Sequence, residues 1–455
     1  MTRSMLFSFV TTILVPIAAV ATSQHPRTLQ SPLPSSVTGG YGIVMDAGSS
    51  GTKMKTLYWD ASSPFDAPVE IGEGLRVKPG ISSYQDDLSK VSEMLPLLEQ
   101  ARLNLKEADL DWREVPLFLG ATAGMRMLPT SDRMAIMASI RSFFRENGFR
   151  VDEDNWVRVL SSADEGAEDW LTLNLSLKTL DGSSSNKNPV GIIDLGGGSV
   201  ELTYLSKLTL LKNKLIADIA DYSWNLYSQG FLYFGNDQAR KQHQQKLASS
   251  GESSDPCHPI GVNNTGGMPG SSDPEKCKEA VKSILPLDVP CFQLDRTECS
   301  MLGEYLPDLV QENVTFYGIG TFGYVWDFMQ LAADADLQDL EDKADLICAM
   351  NMTELDAYDP GNSYATTYCF AAIYIIQLLT EAYKLPKEGT PLIVGESATW
   401  VAGFFIDDLN NLNIDAYDAG PVINPMVAEV GTSGSSMNIP SWIAVVLLVS
   451  YQIFI

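Results

Sequence analysis

Apolar residues fall into short blocks separated by polar and turn-forming stretches. Tyr41 to Met45 is an apolar run ending on Asp46, and Val115 to Leu119 and Val190 to Leu195 are two more. Runs of this length bounded by Gly, Pro or Asp predict buried strands, and a further strand is expected at Val157. Helical spacing appears between them. From Asp87 to Leu105 the residues Leu88, Val91, Leu95, Leu98 and Leu105 lie near one face, with Pro96 as a kink. Ser131 to Asn147 predicts a second helix, with Ser131 as N-cap and Gly148 just past its end. Ala332 to Met350 predicts an acidic helix and Tyr368 to Tyr383 an apolar one. Asp334 and Asp336 do not open a calcium loop, because the Gly and terminal Glu spacing fails. Polar loops are expected at 181–188 and 248–276. Strands alternating with helices predict an α/β fold.

The ends of the chain have a different character. Arg3, the apolar stretch Met5 to Ala21 and the small-residue pattern Ala19-Val20-Ala21 read as a secretory signal over residues 1–21, against an uncleaved anchor helix. Residues 22–37 form a Ser/Pro/Thr-rich linker. Ile439 to Ile455 is apolar and follows the small residues Gly431 to Ser436. That arrangement over 431–455 fits a GPI-attachment signal or a C-terminal tail anchor. Either anchor places the body in the secretory lumen or at the cell surface.

Composition narrows the chemistry. With 455 residues and 45% apolar content the chain has ample material for a core. Its net charge of −26 disfavours nucleic acid as a partner, because phosphate backbones would be repelled. Only His25, His243 and His258 are present, so a Ser-His-Asp centre or a His-rich zinc site is not expected. The six cysteines, at 257, 277, 291, 299, 348 and 369, contain no C-x-x-C pair. In a secreted chain they predict three disulfides, with fifteen pairings open. Sequons at Asn174, Asn263, Asn313 and Asn351 would accept glycans where exposed.

One internal echo carries the functional signal. Gly42 to Thr52 reads GIVMDAGSSGT, and Gly191 to Ser199 reads GIIDLGGGS. Each is a strand, an Asp, then a Gly/Ser turn. Such turns aim several backbone N–H groups one way, and without Cβ atoms a phosphate can approach closely. The Asp at each strand end is placed to hold a divalent cation, directly or through water. Two such turns suggest two related lobes facing one cleft. No G-x-x-x-x-G-K-[ST] is present, so this is not a P-loop. Gly120 to Arg126, GATAGMR, adds a hydroxyl and a cation. Ser161 to Gly166 places Glu165 where a general base could sit.

These segments resemble the apyrase, or nucleoside triphosphate diphosphohydrolase, family. DAGSSGT at 46–52, GATAGMR at 120–126, ADEGAEDW at 163–170 and DLGGGS at 194–199 follow that family's order, and Gly395 to Gly403 resembles its C-terminal motif. The resemblance implies a two-lobed actin-like (ribonuclease H-like) fold. Lobe one would cover 38–160, completed by 397–430, and lobe two 161–396, with nucleotide between them. It implies hydrolysis of nucleoside tri- and diphosphates by direct attack of water. Ser49, Ser50, Gly51 and Thr52, with Gly196, Gly197 and Gly198, would bind phosphate. Asp46 and Asp194 would hold Ca²⁺ or Mg²⁺ through water. Thr122 and Arg126 would support the terminal phosphate, Glu165 would polarise the water, and Ser199 would help position it. Phe322 and Tyr364 would clamp the base. The implied disulfides are Cys257–Cys291, Cys277–Cys299 and Cys348–Cys369. Three positions depart from the family pattern. Glu201 stands in place of Gln and is a further candidate cation ligand. Glu168 and Asp169 replace Tyr-Gly, and Asp407 and Asp408 make the last segment more acidic. Glu201 also fits the exopolyphosphatase family, which shares the fold. A non-catalytic nucleotide-binding surface protein is the third reading.

Overall fold

Each of the two Asp-Gly turns caps its own six-stranded sheet. The computed structural model describes residues 40–180, 188–219, 222–291, 299–395 and 399–411. The signal, the linker and the C-terminal apolar segment lie outside them.

The first sheet contains β1 (Gly40–Gly48), β2 (Gly51–Trp59), β3 (Val69–Glu70), β4 (Leu75–Val77), β5 (Leu117–Ala121) and β6 (Val157–Val159). Its order is β3-β2-β1-β5-β6, with β4 also on β2. The second contains β7 (Gly191–Leu195), β8 (Ser199–Leu205), β9 (Lys214–Ile219), β10 (Tyr222–Leu232), β11 (Phe316–Gly320) and β12 (Leu392–Val394), in the order β12-β11-β7-β8-β10-β9. In both sheets a tight antiparallel hairpin holds the Gly/Ser turn, and the hairpin's first strand has a parallel neighbour: β5 beside β1, β11 beside β7. Parallel neighbours bury a strand on both faces, which is why Ile43 to Met45 and Ile192 to Ile193 are continuous apolar runs.

The segment Leu88 to Glu107 divides at Pro96. Leu88–Met94 is a 3₁₀ helix, and the α-helix begins at Leu95 with the proline in its first turn, where no N–H is needed. The helix expected from Ser131 begins at Thr130, so Ser131 lies in its first turn instead of capping it. The acidic helix spans Leu337–Cys348. Asp336 is its cap, accepting from the N–H groups of Gln338 and Asp339. The stretch Ala365–Ala382 is apolar and long enough to cross a membrane. It is mostly buried, however, as the core of the second sheet's helical layer.

The last described helix, Val401–Asn411, returns to the first sheet. Phe404, Phe405 and Leu409 join the core of β1 and β5. A Cβ at Gly42 would stand 2.2 Å from the Phe405 ring, so only glycine admits this approach.

The disulfides differ from the implied set. Cys257 pairs with Cys277 and Cys291 with Cys299, replacing the crossed pairs Cys257–Cys291 and Cys277–Cys299; Cys348 pairs with Cys369. The first bridge closes a loop that is tied down from within. Buried Asp255 accepts from His243 Nε2 at 2.9 Å, Asn264 Nδ2 at 2.8 Å and the Cys257 N–H at 3.0 Å. Among the sequons, Asn263 and Asn313 are exposed. Asn174 is fully buried; its Nδ2 donates to the Trp170 and Val190 carbonyls, so it offers no acceptor site for a glycan.

Candidate active site

The two turns meet. Ser49 and Ser50 form the exposed tip between β1 and β2, and Gly196 to Gly198 link β7 to β8. A Cβ on Gly197 would lie 3.4 Å from Ser49 Oγ, and one on Gly124 2.9 Å from Ser49 Cα. The first turn, the second turn and the GATAGMR segment therefore converge. The helix Asn236–Ser250 begins against the second turn, the N–H groups of Asn236 and Asp237 donating to the Gly196 and Gly197 carbonyls. Ser50 Oγ already accepts from Arg76 Nη2 at 2.7 Å. Thr52, unlike the serines, is fully buried, and its hydroxyl has no hydrogen-bond partner.

Asp46 ends the apolar part of β1, and Asp194 the corresponding part of β7. Both are half-buried. Burial pushes Asp46 up to about 6 against the pull of Lys53, with Glu165 adding to the rise and Arg76 opposing it. Burial pushes Asp194 up to about 7, with Glu165 and Asp46 adding to it and Lys53 and Arg126 opposing.

Arg126 is the hub of the site. It closes the short helix Ala123–Arg126, which follows β5, and is 5% exposed. Its Nη1 lies 2.7 Å from Glu165 Oε2, and its Nη2 donates to Ser199 Oγ at 2.8 Å and meets Glu201 Oε1 at 3.1 Å. Burial works against the guanidinium charge, but Glu165 and Glu201 outweigh it and hold Arg126 above its usual range. One residue from the short helix after β5 thus grips two side chains of β8 and one of the helix Ser162–Ser176. Glu165 is presented by the first turn of the helix Ser162–Ser176. That turn is fixed by Ser161 Oγ accepting from the Asp164 N–H at 3.1 Å. Thr122 is 5% exposed and makes no side-chain cap bond to the helix it precedes.

Glu201 lies opposite Asp194 in the β7–β8 pairing. Burial first, then Glu165, carries its carboxyl well above the usual range, while Arg126 pulls it down. Glu165, Asp194 and Glu201 each bring a ligand atom within 4.8 Å of the others. This donor set is all carboxylate oxygen, which fits a hard divalent cation and not a thiolate- or imidazole-preferring one. Among the described residues the other such grouping, His243 with Asp255 and Cys257, has its sulfur in a disulfide.

Of the expected base clamp, Tyr364 is 65% exposed and Phe322 is fully buried, packed on Trp326 at 6.1 Å. Phe322 therefore cannot present a face to a ligand here. It belongs to the buried stripe Phe322, Val325, Trp326 and Met329 of the helix Thr321–Met329. Tyr324, on the opposite side, is 69% exposed. The helical spacing around Phe322 held that distinction.

A family described as GDA1/CD39 (nucleoside phosphatase) matches residues 34–419. The nucleoside-triphosphatase ntp-1 of Caenorhabditis elegans is 25% identical over 424 residues, spanning 86% of this chain and 77% of that one. The ectonucleoside triphosphate diphosphohydrolase 8 of Mus musculus is 28% identical over 420 residues, spanning 81% and 82%. A solved structure of nucleoside triphosphate hydrolases from Neospora caninum superposes with a TM-score of 0.59 at 13% identity, spanning 82% of this chain and 93% of that one, which shows a shared two-lobed fold. With this family match over most of its length, the chain belongs to the GDA1/CD39 family of nucleoside phosphatases.

Proposed function

We propose that this protein is an apyrase-type hydrolase that removes the terminal phosphate of nucleoside tri- and diphosphates. The observation that carries the reading is the convergence of two glycine-serine turns on one cleft beside a buried glutamate held by Arg126. Phosphoanhydride hydrolysis asks for an in-line water and charge neutralisation, with little covalent work. The turns' backbone N–H groups and Ser49 would cradle the phosphate chain, and Thr122 would reach its terminal phosphoryl. Glu165 would take the proton of the attacking water, with Ser199 orienting it. Asp46 and Asp194 would hold a Ca²⁺ or Mg²⁺ ion, which when bound neutralises phosphate oxygens. Exposed Tyr364 and Tyr324 would offer faces to the base, and stacking of that kind tolerates any base. The lobes in this reading run over 38–160 with the returning C-terminal helix, and over 161–396.

We place the body outside the cytosol, attached to the membrane through the C-terminal segment. Three disulfides support an oxidising compartment. The test of function is phosphate release from ATP, ADP, UDP, AMP and polyphosphate, with Ca²⁺ or Mg²⁺ and then with chelator. Metal-dependent release from ATP and ADP, and none from AMP, is expected. Release from polyphosphate alone would overturn the reading.

Cation affinity should depend on pH in a defined direction. Asp46 and Asp194 must lose their protons to bind a cation, and their raised values of about 6 and about 7 let protons compete. Affinity should therefore fall as pH drops, about tenfold from pH 7 to 6 and up to about a hundredfold per unit below that. Calorimetric titration with Ca²⁺ between pH 8 and 5.5 measures this, and a flat profile would refute it.

A further inference from the structure

The second glycine turn is braced by one short segment of chain. The Tyr233 N–H donates to the Gly198 carbonyl at 2.9 Å, and the Asn236 N–H donates to the Gly196 carbonyl at 2.9 Å. The N–H groups of Asp237 and Gln238 both donate to the Gly197 carbonyl at 3.1 Å. All three glycine carbonyls of the turn are thereby taken. Tyr233 holds its place in the left-handed region, at φ 73°, where a side chain other than glycine's is strained. Gly235 lies against the turn itself: a Cβ there would stand 2.5 Å from Gly197 C, Gly198 N and Ser199 N. Its φ of −69° is ordinary, so close approach, not conformation, calls for glycine.

In a trans peptide unit the C=O and the N–H point in opposite directions. Fixing the Gly196 carbonyl on Asn236 therefore turns the Gly197 N–H away from that segment, and fixing the Gly197 carbonyl does the same for the Gly198 N–H. Among the described residues neither of these N–H groups has a hydrogen-bond partner. Two adjacent N–H groups without partners, in a turn without Cβ atoms, make a nest for an anionic oxygen. Asn236 also opens the 15-residue helix Asn236–Ser250, whose first N–H groups carry its positive end. They polarise the turn's carbonyls, and the turn's own N–H groups pass that polarity onward. The GATAGMR segment borders the same turn, a Cβ on Gly198 falling 2.7 Å from Ala123 Cβ.

We propose that Asn236 is a positioning residue that acts through its backbone N–H: with Tyr233, Asp237 and Gln238 it holds the carbonyls of Gly196 to Gly198 away from the nucleotide, so that the N–H groups of Gly197 and Gly198 receive a phosphate oxygen. The inference rests on the reading of the second turn as a phosphate cradle. Its effect is preorganisation. A free run of three glycines samples many orientations, and ordering it on binding would weaken affinity. A turn held beforehand meets the phosphate chain without that loss. Its N–H groups grip the substrate alike in the ground state and the transition state, so the effect falls on KM more than on kcat.

The test compares Asn236→Pro with Asn236→Ala in the full-length protein, by steady-state hydrolysis of ATP and ADP with Mg²⁺ and by thermal melting. Proline is accepted at the first helical position, and Gly235, extended at ψ 159°, suits a following proline. Asn236→Pro therefore spares the helix and deletes the N–H that holds Gly196. Asn236→Ala loses the same side chain and keeps that N–H. KM of Asn236→Pro should stand about tenfold above that of Asn236→Ala for both nucleotides, with kcat within about threefold and Tm within a few degrees. A purely structural role would lower kcat and Tm together and leave KM equal in the two variants; equal KM, with or without that loss, would overturn the proposal. If Asn236→Pro fails to fold, Gly235→Ala, whose methyl group would press on the turn, should raise KM by at least as much, and an unchanged KM there would overturn it too. Should the wild type bind fluorescent ATP without hydrolysing it, weaker binding by Asn236→Pro than by Asn236→Ala would keep the brace and remove the hydrolase reading. Equal binding by the two would remove the brace.

Discussion

Replacing Glu165 by Gln should lower kcat for ATP and ADP by about 10² to 10⁴, the usual contribution of a positioned general base, while nucleotide affinity changes only a few-fold. The variant is conservative in shape. Glu165 is 6% exposed and its Oε2 sits 2.7 Å from Arg126 Nη1, a contact that an amide oxygen can keep as an acceptor. What the amide lacks is a basic oxygen for the water's proton. Single-turnover hydrolysis and fluorescent-nucleotide binding separate the two quantities. A parallel loss of binding and turnover would mean that Glu165 holds the site together. Unchanged turnover would move the base elsewhere, Glu201 being the nearest alternative on the same guanidinium. A wild type that binds nucleotide without turnover would favour the non-catalytic surface protein.

Much of this site can be read from the sequence because its parts are local. A strand that ends on Asp and runs into Gly and Ser needs nothing distant to define it, and β1 and β7 have that form. Features set by contacts between distant segments could not be read in the same way. Fifteen cysteine pairings are combinatorially open, and the Cys257–Cys277 bridge closes a loop that Asp255 ties to His243 and Asn264, contacts between segments that spacing does not reveal. Asn174 satisfies the sequon rule, yet packing draws it inward to bond the Val190 carbonyl. Glu168 and Asp169, which depart from the family pattern, are both buried, Glu168 beside the backbone of Gly403 and Asp169 with no hydrogen-bond partner for either carboxylate oxygen. The Arg126 hub belongs to the same class. GATAGMR supplies a cation, but that it reaches Glu165, Ser199 and Glu201 together depends on how the two sheets face each other. Phe322 differs, since its burial follows from helical spacing that the sequence already contains.

The hub also defines the largest expected effect on stability. Arg126→Met should destabilise the cation-free protein by about 3–5 kcal/mol at pH 7.5, the usual consequence of removing one partner of a buried ion pair. Two buried carboxylates would lose their counter-charge, with Asp194 close to both. Adding Glu201→Gln removes one of those charges, so the double variant should recover part of the loss. The two substitutions should be non-additive by about 1–3 kcal/mol, as expected for side chains in direct contact. The effect has a sign in pH. Burial and Glu165 already hold Glu201 well above the usual carboxylate range. Without Arg126 to pull it down, Glu201 keeps its proton to still higher pH. The deficit of Arg126→Met relative to wild type should therefore be smallest near pH 5 and grow as pH rises and Glu201 is forced to ionise. Urea unfolding at pH 5 and 7.5, in chelator, for the four proteins of the cycle measures both terms. Equal stability of Arg126→Met and wild type at pH 7.5, or strict additivity with Glu201→Gln, would mean that Arg126 does not bind the two lobes through these carboxylates.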